Sequence, residues 1–355
     1  MSIERRRSRT IKLGQVAVGG QSPITVQTMT KTDTRDVTAT ISEIKRLHLA
    51  GCDIIRLAVP DMTAADALKP ICEQSPLPVI ADIHFDHQLA LAAVRNGVHG
   101  LRLNPGNIRS EEKVREVAAA ARDRGIPIRV GVNAGSLDPE IRARHGGVTA
   151  AALAESAMNE VRRLEKYDFN LIKIAVKAFD LKTMTEAVRL VAADCDYPLH
   201  LGVTESGLPE EGIVRSSIGI GHLLMQGIGD TIRVSLTGDS TDEIATGIRI
   251  LKCLGLRSAG PVIVSCPTCG RCQIPLQKIA REVQQRLAGV TAELHIAVMG
   301  CAVNGPGEAE QADFGIAGGK ESGLIFRRGR IIRTLPADQL VDGLIEEIFK
   351  SLNQS

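Results

Sequence analysis

Short β-branched segments alternate with longer segments of helical periodicity between residues 25 and 236. A polar turn follows each predicted strand, and then apolar residues recur every three or four positions, as they do on one face of a helix. Such strict alternation indicates parallel strands. Eight repeats within roughly 250 residues predict a (β/α)8 TIM-type barrel rather than an open doubly wound sheet. The predicted strands are residues 25–29, 54–59, 78–83, 100–105, 127–133, 171–177, 199–204 and 231–236.

The pattern changes after residue 257. Residues 293–300 predict a strand, and residues 323–335 predict a hairpin with Arg-Gly at its turn. The segment ADQLVDGLIEEIFKSL predicts a closing amphipathic helix. These elements form a compact α+β module of about ninety residues. We therefore predict two domains, a barrel over residues 1–257 and a smaller α+β domain over residues 258–355.

Composition narrows the possible functions. The chain has 355 residues, of which 44% are hydrophobic, so it has ample material for buried cores. Lys and Arg number 43 against 41 acidic residues, and Trp is absent, which argues against nucleic-acid binding. No apolar run is long enough to span a bilayer. We interpret the basic N-terminus MSIERRRSRTIKLGQ as a solvated charged arm, because no apolar signal segment follows it.

Basic residues occur on five of the predicted strands. In (β/α)8 barrels, binding and catalytic groups come from the C-terminal ends of the strands. Cations gathered there repel one another unless anions neutralise them, and two phosphate groups suit this role because Arg binds phosphate oxygens in pairs. Structural ion pairing is the alternative for each cation, and Arg129 and Lys173 are its strongest candidates. The predicted cationic cup contains Arg56, Arg102, Arg129, Lys177 and Arg233, with Ser235 beside the last.

Other polar residues follow the same strands. Glu205 in VTESG is the carboxylate best placed for acid–base chemistry, although an ion pair with a neighbouring Arg is equally compatible with the sequence. Asn104 and Asn133 suit hydrogen bonds to hydroxyl or phosphate oxygens. Asp82 and His84 in ADIHF either point into the cup or are structural residues of the core, and the sequence is compatible with both. The barrel alone therefore predicts a small polyanionic substrate.

Cysteines mark the second predicted domain. Cys266, Cys269 and Cys272 form the run CPTCGRC, and Cys301 follows in GCAVNGPGEAE. A zinc ribbon needs two CxxC pairs, and a ferredoxin run needs a fourth nearby Cys, so neither template fits. Cysteines with a loop carboxylate fit an iron–sulfur cluster better, and Glu308 lies seven residues after Cys301. Eight cysteines without an export signal also indicate reduced thiols in the cytoplasm.

The remaining cysteines give no such signal. They lie on barrel strands and helices, where a free Cys behaves as a small apolar residue. We interpret all four as packing residues, and these are Cys52, Cys72, Cys195 and Cys253.

In CPTCGRC and GCAVNGPGEA the chain resembles the 4-hydroxy-3-methylbut-2-en-1-yl diphosphate synthases of the non-mevalonate isoprenoid pathway. The resemblance spans nearly the whole chain, because further motifs occur in the family's order. It implies a barrel followed by an iron–sulfur domain, without the extra domain of the larger plant-type members. The motifs are VQTMTKTDTRD, DIIRLAVP, ADIHF, GLRLNPGN, VGVNAGS, VKAFD, HLGVTESG and RVSLTGD.

The resemblance implies a reaction and a cofactor. The reaction is the reductive ring opening of 2-C-methyl-D-erythritol 2,4-cyclodiphosphate to 4-hydroxy-3-methylbut-2-en-1-yl diphosphate. Two electrons would arrive singly from flavodoxin or ferredoxin through a [4Fe-4S] cluster. Family members are homodimers in which the cluster domain of one subunit caps the barrel of the other.

The resemblance also implies roles for individual residues. Glu205 would be the acid that helps the departing hydroxyl leave as water. The cluster ligands would be Cys266, Cys269, Cys301 and Glu308. Cys272 stands where the family commonly has another residue, so it is a spare thiol. The substrate would be held by Arg56, Asp82, Arg102, Asn104, Arg129, Asn133, Lys177, Arg233 and Ser235.

Two other functions are compatible with parts of the sequence. A non-redox barrel transferase similar to the dihydropteroate synthases, with a zinc-bound tail, would bind a pterin or a sulfonamide at the barrel mouth. Its activity would not depend on iron. A metal-stabilised binding module without catalysis is the other alternative, but the basic stripe and aromatic platform expected of it are missing from this composition.

Overall fold

The computed structural model describes residues 3–83, 86–103, 108, 110–258, 260–301 and 309–353. The chain forms two compact units, Met1–Arg257 and Ser258–Ser355. Within the described residues, no helix is both long and apolar enough to cross a membrane.

The first unit begins with an antiparallel hairpin of two short strands, β1 (Ile11–Leu13) and β2 (Val16–Val18). Its apolar side chains pack with Ile54 and Ile80, which lie near the beginnings of two barrel strands. The hairpin therefore closes the N-terminal end of the barrel.

Two further contacts fix this N-terminal segment. A Cβ at Gly100 would lie 2.5 Å from Cδ2 of Leu13, so the hairpin requires a glycine at that point of the barrel wall. Arg5 forms an ion pair of 3.2 Å with the buried carboxylate of Asp230. The interpretation of the N-terminus as a solvated arm is therefore wrong, because part of it packs against the barrel.

Eight parallel strands form the barrel, as predicted. In the sheet they run from β8 back to β3 and then to β10 and β9. A parallel bridge between Ile174 and Leu199 joins the two ends of this sheet. The strands are β3 (Thr25–Met29), β4 (Ile54–Ala58), β5 (Val79–Asp82), β6 (Gly100–Leu103), β7 (Ile128–Asn133), β8 (Ile172–Lys177), β9 (His200–Leu201) and β10 (Thr231–Ile232).

Helices surround the barrel and begin at defined caps. Except at the helix of Pro209–Met225, the side chain of an Asp, Ser or Thr accepts a hydrogen bond from the first turn and so fixes the start of the helix. The loops before these helices therefore stay at the C-terminal ends of the strands. The helices are α1 (Val37–Leu49), α2 (Met62–Gln74), α3 (His87–Arg95), α4 (Glu111–Asp123), α5 (Pro139–Arg144), α6 (Ala150–Glu165), α7 (Leu181–Asp194), α8 (Pro209–Met225) and α9 (Ser240–Cys253).

The second unit is an α+β domain, as predicted. Its sheet runs in the order β11 to β15, with parallel pairs up to β13 and antiparallel pairs beyond it. Arg328 and Gly329 both have positive φ at the β14–β15 turn, which matches the predicted hairpin. The elements are β11 (Val262–Ser265), α10 (Leu276–Arg286), β12 (His295–Met299), β13 (Phe314–Ala317), β14 (Ser322–Arg327), β15 (Arg330–Pro336) and α11 (Leu340–Leu352).

Candidate active site

The register of the barrel strands turns basic side chains towards the inside of the barrel. Arg102 of β6 is the register partner of Arg129 on β7, which in turn is the partner of Lys173 on β8. Side chains at paired positions of neighbouring parallel strands point to the same face of the sheet. Asp82 of β5 is the partner of Arg102, so it points to this face as well.

A cavity of about 350 Å³ lies among the predicted cations. It gathers every sequence-predicted substrate contact that the structure describes, together with the predicted acid Glu205. Asn104 and His84 lie outside the described residues. The cavity is lined by Arg56, Asp82, Arg102, Arg129, Gly131, Asn133, Ala175, Lys177, Thr204, Glu205, Arg233 and Ser235.

Two glycines leave room for the long cationic side chains. A Cβ at Gly131 would lie 3.4 Å from Nε of Arg102. At Gly202 a Cβ would lie 2.8 Å from Nζ of Lys177 and 2.6 Å from the backbone oxygen of Arg233. The cavity therefore depends on small residues at inward-facing positions.

Two buried carboxylates offset part of the positive charge. Asp82 lies 3.5 Å from Arg56 and 3.3 Å from Arg102. Glu243 of α9 lies 3.7 Å from Arg233 and accepts a hydrogen bond of 2.6 Å from the hydroxyl of Thr28. With Glu205 at the cavity, three carboxylates face five cations. The site therefore carries excess positive charge.

Burial makes this charge costly. It lowers the pKa of Arg56 to about 10, with Asp82 acting in the opposite direction. Burial, followed by the charge of neighbouring guanidinium groups, also holds the pKa of Lys177 well below its usual value. Arg stays protonated at neutral pH in spite of such shifts. An anion in the cavity would relieve both effects, because it favours the charged forms.

Glu205 has a strained backbone. Its φ is +55°, in the left-handed region that residues other than glycine seldom occupy. The loop is held by a backbone hydrogen bond of 3.0 Å from Thr237 N–H to the carbonyl of Gly207. The side chain is exposed and reaches the cavity. Strain of this kind is often found where a side chain is held for function.

The cysteines of the second unit come from two neighbouring strands. Cys266 follows β11 and Cys301 lies just beyond β12, and these strands are parallel partners. The backbone N–H of Gly300 donates a hydrogen bond of 3.3 Å to Sγ of Cys266. A Cβ at Gly300 would lie 2.6 Å from Sγ of Cys272, so the glycine allows the thiols to approach the strand end.

These thiols differ in their hydrogen bonds. Sγ of Cys266 accepts from the backbone, whereas the thiol of Cys272 donates to the carbonyl of Ile274 at 3.3 Å. Cys269 is exposed, and a hydrogen bond from the backbone of Arg271 lowers the pKa of its thiol. Backbone N–H groups that point at cysteine sulfurs are suited to an iron–sulfur cluster, and Cys266 and Cys269 both have such a contact.

The described residues contain no group of three or more His, Cys, Asp or Glu that could hold a metal ion. Glu308, a predicted ligand, lies outside these residues. The donors that the structure does describe are thiols, with Cys266 after β11 and Cys301 after its parallel partner β12, and thiols are the ligand type that an iron–sulfur cluster takes. A groove of about 590 Å³ between β11 and α10 reaches Cys266.

Comparison with known proteins identifies the family. The GcpE TIM-barrel domain matches residues 8–248, and the GcpE protein C-terminal domain matches residues 262–350. A relative from Geobacter sulfurreducens, named 4-hydroxy-3-methylbut-2-en-1-yl diphosphate synthase (flavodoxin), is 56% identical over 346 residues, which cover 98% of each chain. A relative of the same name from Clostridium tetani is 54% identical and covers 98% of this chain and 99% of its own. This chain belongs to the GcpE family.

Membership in the GcpE family makes the chain an enzyme, an oxidoreductase of the 4-hydroxy-3-methylbut-2-en-1-yl diphosphate synthase type. Solved structures outside the family share only the barrel. Dihydropteroate synthase from Yersinia pestis has a TM-score of 0.52 at 10% identity and covers 69% of this chain and 98% of its own. A 3-dehydroquinate dehydratase from Clostridium difficile has a TM-score of 0.52 at 13% identity, with 70% and 98% coverage. These similarities show the fold alone.

Two features of the site in this GcpE-family chain do not follow from the predicted residues. Glu243 contacts Arg233 from the first turn of α9 and is not among the predicted site residues. The sequence predicts a structural ion pair at Lys173, which is buried but has no ion pair within the described residues. Its spacing of four residues from Lys177 could have revealed it, because alternate residues of a strand share one face.

Proposed function

We propose that this protein catalyses the reductive ring opening of 2-C-methyl-D-erythritol 2,4-cyclodiphosphate to 4-hydroxy-3-methylbut-2-en-1-yl diphosphate. The observation that carries this proposal is the excess of buried cations around a cavity of about 350 Å³. A cyclic diphosphate supplies two phosphate groups to match them. The names of the relatives, at more than half identity over the whole chain, support the same reaction.

The diphosphate would be held by the cup. Arg56, Arg102, Arg129 and Arg233 offer paired N–H groups to phosphate oxygens, and Lys177 adds a point charge. Asn133 and Ser235 would donate further hydrogen bonds, together with Asn104. Asp82 would keep Arg56 and Arg102 in place, since it lies within 3.5 Å of both.

Glu205 would act as the proton donor. The overall change consumes two electrons and one proton, breaks the ring C–O bond to phosphate, and releases the neighbouring hydroxyl as water. A carboxylic acid at the cavity can supply that proton, and such groups typically contribute about 10²–10⁴-fold to the rate. The strained backbone at Glu205 supports an assignment to function rather than to packing.

The electrons would come through a [4Fe-4S] cluster, which supplies one-electron chemistry that no side chain provides. Cys266, Cys269 and Cys301 would hold it, with Glu308 as an exchangeable fourth ligand. Cys272 would remain a thiol, which its hydrogen bond to a backbone carbonyl supports. Flavodoxin is our proposed electron donor, because the relatives carry that word in their names. The cytoplasmic location stays a prediction.

Anaerobic turnover of the cyclic diphosphate with dithionite and a viologen tests this function. The purified protein should be brown, with an electron paramagnetic resonance signal after reduction. Cys266→Ser should lose the cluster, and the matched variant Cys272→Ser should keep it. Glu205→Gln should keep the cluster and lose activity by about 10²-fold or more. A colourless protein that holds stoichiometric zinc after anaerobic preparation from iron-replete cells would rule the proposal out.

We also propose that the protein is a homodimer whose cluster domains cap the barrels of their partners. The cavity lining that the structure describes contains no cysteine, which supports a redox group supplied by the other unit, either of the same chain or of a second copy. Mixing the Glu205→Gln and Cys266→Ser proteins distinguishes a cluster supplied by the same chain from one supplied by the partner. In capping dimers, the mixed species holds one site that combines an intact acid with an intact cluster, so activity returns. Continued inactivity in mixtures with proven subunit exchange would contradict the arrangement.

A further inference from the structure

A second layer of polar side chains lies inside the barrel beneath the cationic cup. Lys173 precedes Lys177 by four residues on β8, so both point to the same face of the strand. Its register partner is Arg129, which lines the cavity, whereas Lys173 does not. Lys173 is only 1% exposed. It is therefore a buried amine one layer deeper than the proposed phosphate-binding groups.

Within the described residues, no acceptor holds the amine of Lys173. Its Nζ has no hydrogen-bond partner there, and the ring nitrogens of the buried His200 have none either. The carboxylate that acts on Lys173 electrostatically is Asp230. That carboxylate is already engaged, because it accepts hydrogen bonds of 3.2 Å from Arg5 and 2.9 Å from the backbone N–H of Leu199.

The charged and titratable groups that face Lys173 disfavour an ammonium ion. Burial, followed by the positive charges of Arg129 and Arg56, lowers the pKa of Lys173 to about 7, while Asp230 acts weakly in the opposite direction. Burial also keeps the pKa of His200 well below its usual value, so this ring is neutral. A buried amine among guanidinium groups is expected to lose its proton for the same physical reasons.

We propose that Lys173 is a positioning residue that is an uncharged amine in the empty barrel and takes up a proton when a diphosphate occupies the cavity above it. The inference rests on the proposed substrate. A diphosphate bound to Arg129 offsets the positive charge that keeps Lys173 neutral. Binding of the anion and binding of the proton therefore strengthen each other by the same factor. The proton comes from solvent, and no other bond forms or breaks.

This coupling has a consequence for the proposed reaction. In the cyclic substrate each phosphorus carries one ester oxygen and the shared anhydride oxygen, so each has one ionisable oxygen. Ring opening leaves a terminal phosphate with one more ionisable oxygen. The negative charge in the cup therefore grows during turnover, and an amine that gains a proton matches that growth without movement of the backbone.

Isothermal titration calorimetry with the cyclic diphosphate tests the inference. Titrations at about pH 8, in buffers of different ionisation enthalpy, give the number of protons taken up on binding. Wild type should take up protons, and Lys173→Met should take up fewer by one half to about one proton. Lys173→Gln serves as a second uncharged variant if the first folds poorly. The matched control is Lys182→Met, an exposed lysine of α7, which should leave the uptake unchanged.

The outcomes separate this inference from the proposed function. Equal proton uptake by wild type and by the Lys173 variants would overturn the inference and leave the function intact. Binding of inorganic diphosphate without binding of the cyclic diphosphate would overturn the proposed substrate alone. Wild type also gives a test that needs no variant. Above about pH 7.5, its affinity for the cyclic diphosphate should decrease with rising pH, and the decrease should approach tenfold per pH unit. An affinity that does not change with pH would refute the coupling.

Discussion

Replacing Lys173 by methionine should stabilise the empty protein near neutral pH. Methionine has a similar length and carries no charge, so it removes the cost of a buried amine without leaving a large cavity. The pKa of Lys173 is about 7 in the folded protein, against 10.5 for an ordinary lysine. At about 1.4 kcal/mol per unit, this difference corresponds to roughly 5 kcal/mol of lost stability at low pH.

The sign of the pH dependence follows from the same two values. Between about pH 7 and 10.5, the unfolded chain holds the lysine proton and the folded chain does not. Stability of the wild type should therefore rise with pH in this window, by up to about 1.4 kcal/mol per unit from this residue. Below pH 7 both states hold the proton, so the penalty is complete and constant. Lys173→Met lacks this contribution. The slope of its free energy of unfolding against pH should therefore be lower by the contribution of one proton.

Urea denaturation at pH 7, 8 and 9, in buffers free of phosphate, measures both effects. At about pH 7.5 the variant should be more stable than wild type by as much as about 4 kcal/mol, and the gap should shrink as pH rises. The exposed Lys182→Met variant should follow the wild-type profile. A Lys173→Met protein that is less stable at every pH, or that keeps the wild-type slope, would contradict a destabilising buried amine at position 173.

Three further substitutions test other parts of the site, and a fourth, Arg328→Gly in the second unit, is a control. Asp82→Asn removes the carboxylate between two buried arginines and should cost about 3–5 kcal/mol in urea denaturation, with recovery when diphosphate is added. Glu205→Gly relieves a positive φ, so it should stabilise the protein by about 1 kcal/mol while abolishing turnover. Its control is Arg328→Gly, which relieves a φ of +47° and should stabilise the protein by a similar amount while turnover is kept. Gly202→Ala places a Cβ 2.8 Å from Nζ of Lys177 and should weaken diphosphate binding in calorimetry, with unchanged affinity counting against the proposed cup.

The barrel could be predicted from sequence because its signal repeats. Each strand is followed by a helix, which in all but one case begins at a side-chain cap, and eight repeats leave few alternative folds. The N-terminal hairpin could not be predicted, since strands of three residues are too short to show a period. One of its contacts with the barrel needs the small size of Gly100, which appears only in three dimensions.

The last two barrel strands are shorter than their sequences predict. The runs at 199–204 and 231–236 form ladders only over His200–Leu201 and Thr231–Ile232. At the end of the second run, the N–H of Leu236 donates to the carboxylate of Glu243 at 3.0 Å rather than to a neighbouring strand. A side chain thus replaces a ladder hydrogen bond, and no local pattern of hydrophobic residues encodes that exchange.

The composition of the site could be predicted better than its charge state. Basic residues at strand ends indicate a phosphate cup, since the fold brings those ends together. Their protonation depends on burial and on the distance to carboxylates, which follow from packing. Lys173 is an example. Its alternation with apolar residues on β8 places it on one face of the strand, but the sequence alone is also compatible with a charged lysine in a structural ion pair.

The mixture of arginine and lysine in this barrel has a physical rationale. Arg56 and Arg102 share Asp82, so their charges are partly balanced and their geometry is fixed when the cup is empty. Arginine cannot give up its proton at neutral pH, whereas a buried lysine can. Lys173 therefore lets the empty barrel lose positive charge that a diphosphate would restore, and burial lowers the pKa of Lys177 in the same direction. A barrel with arginine at both positions would bind anions more tightly and would fold less stably without them.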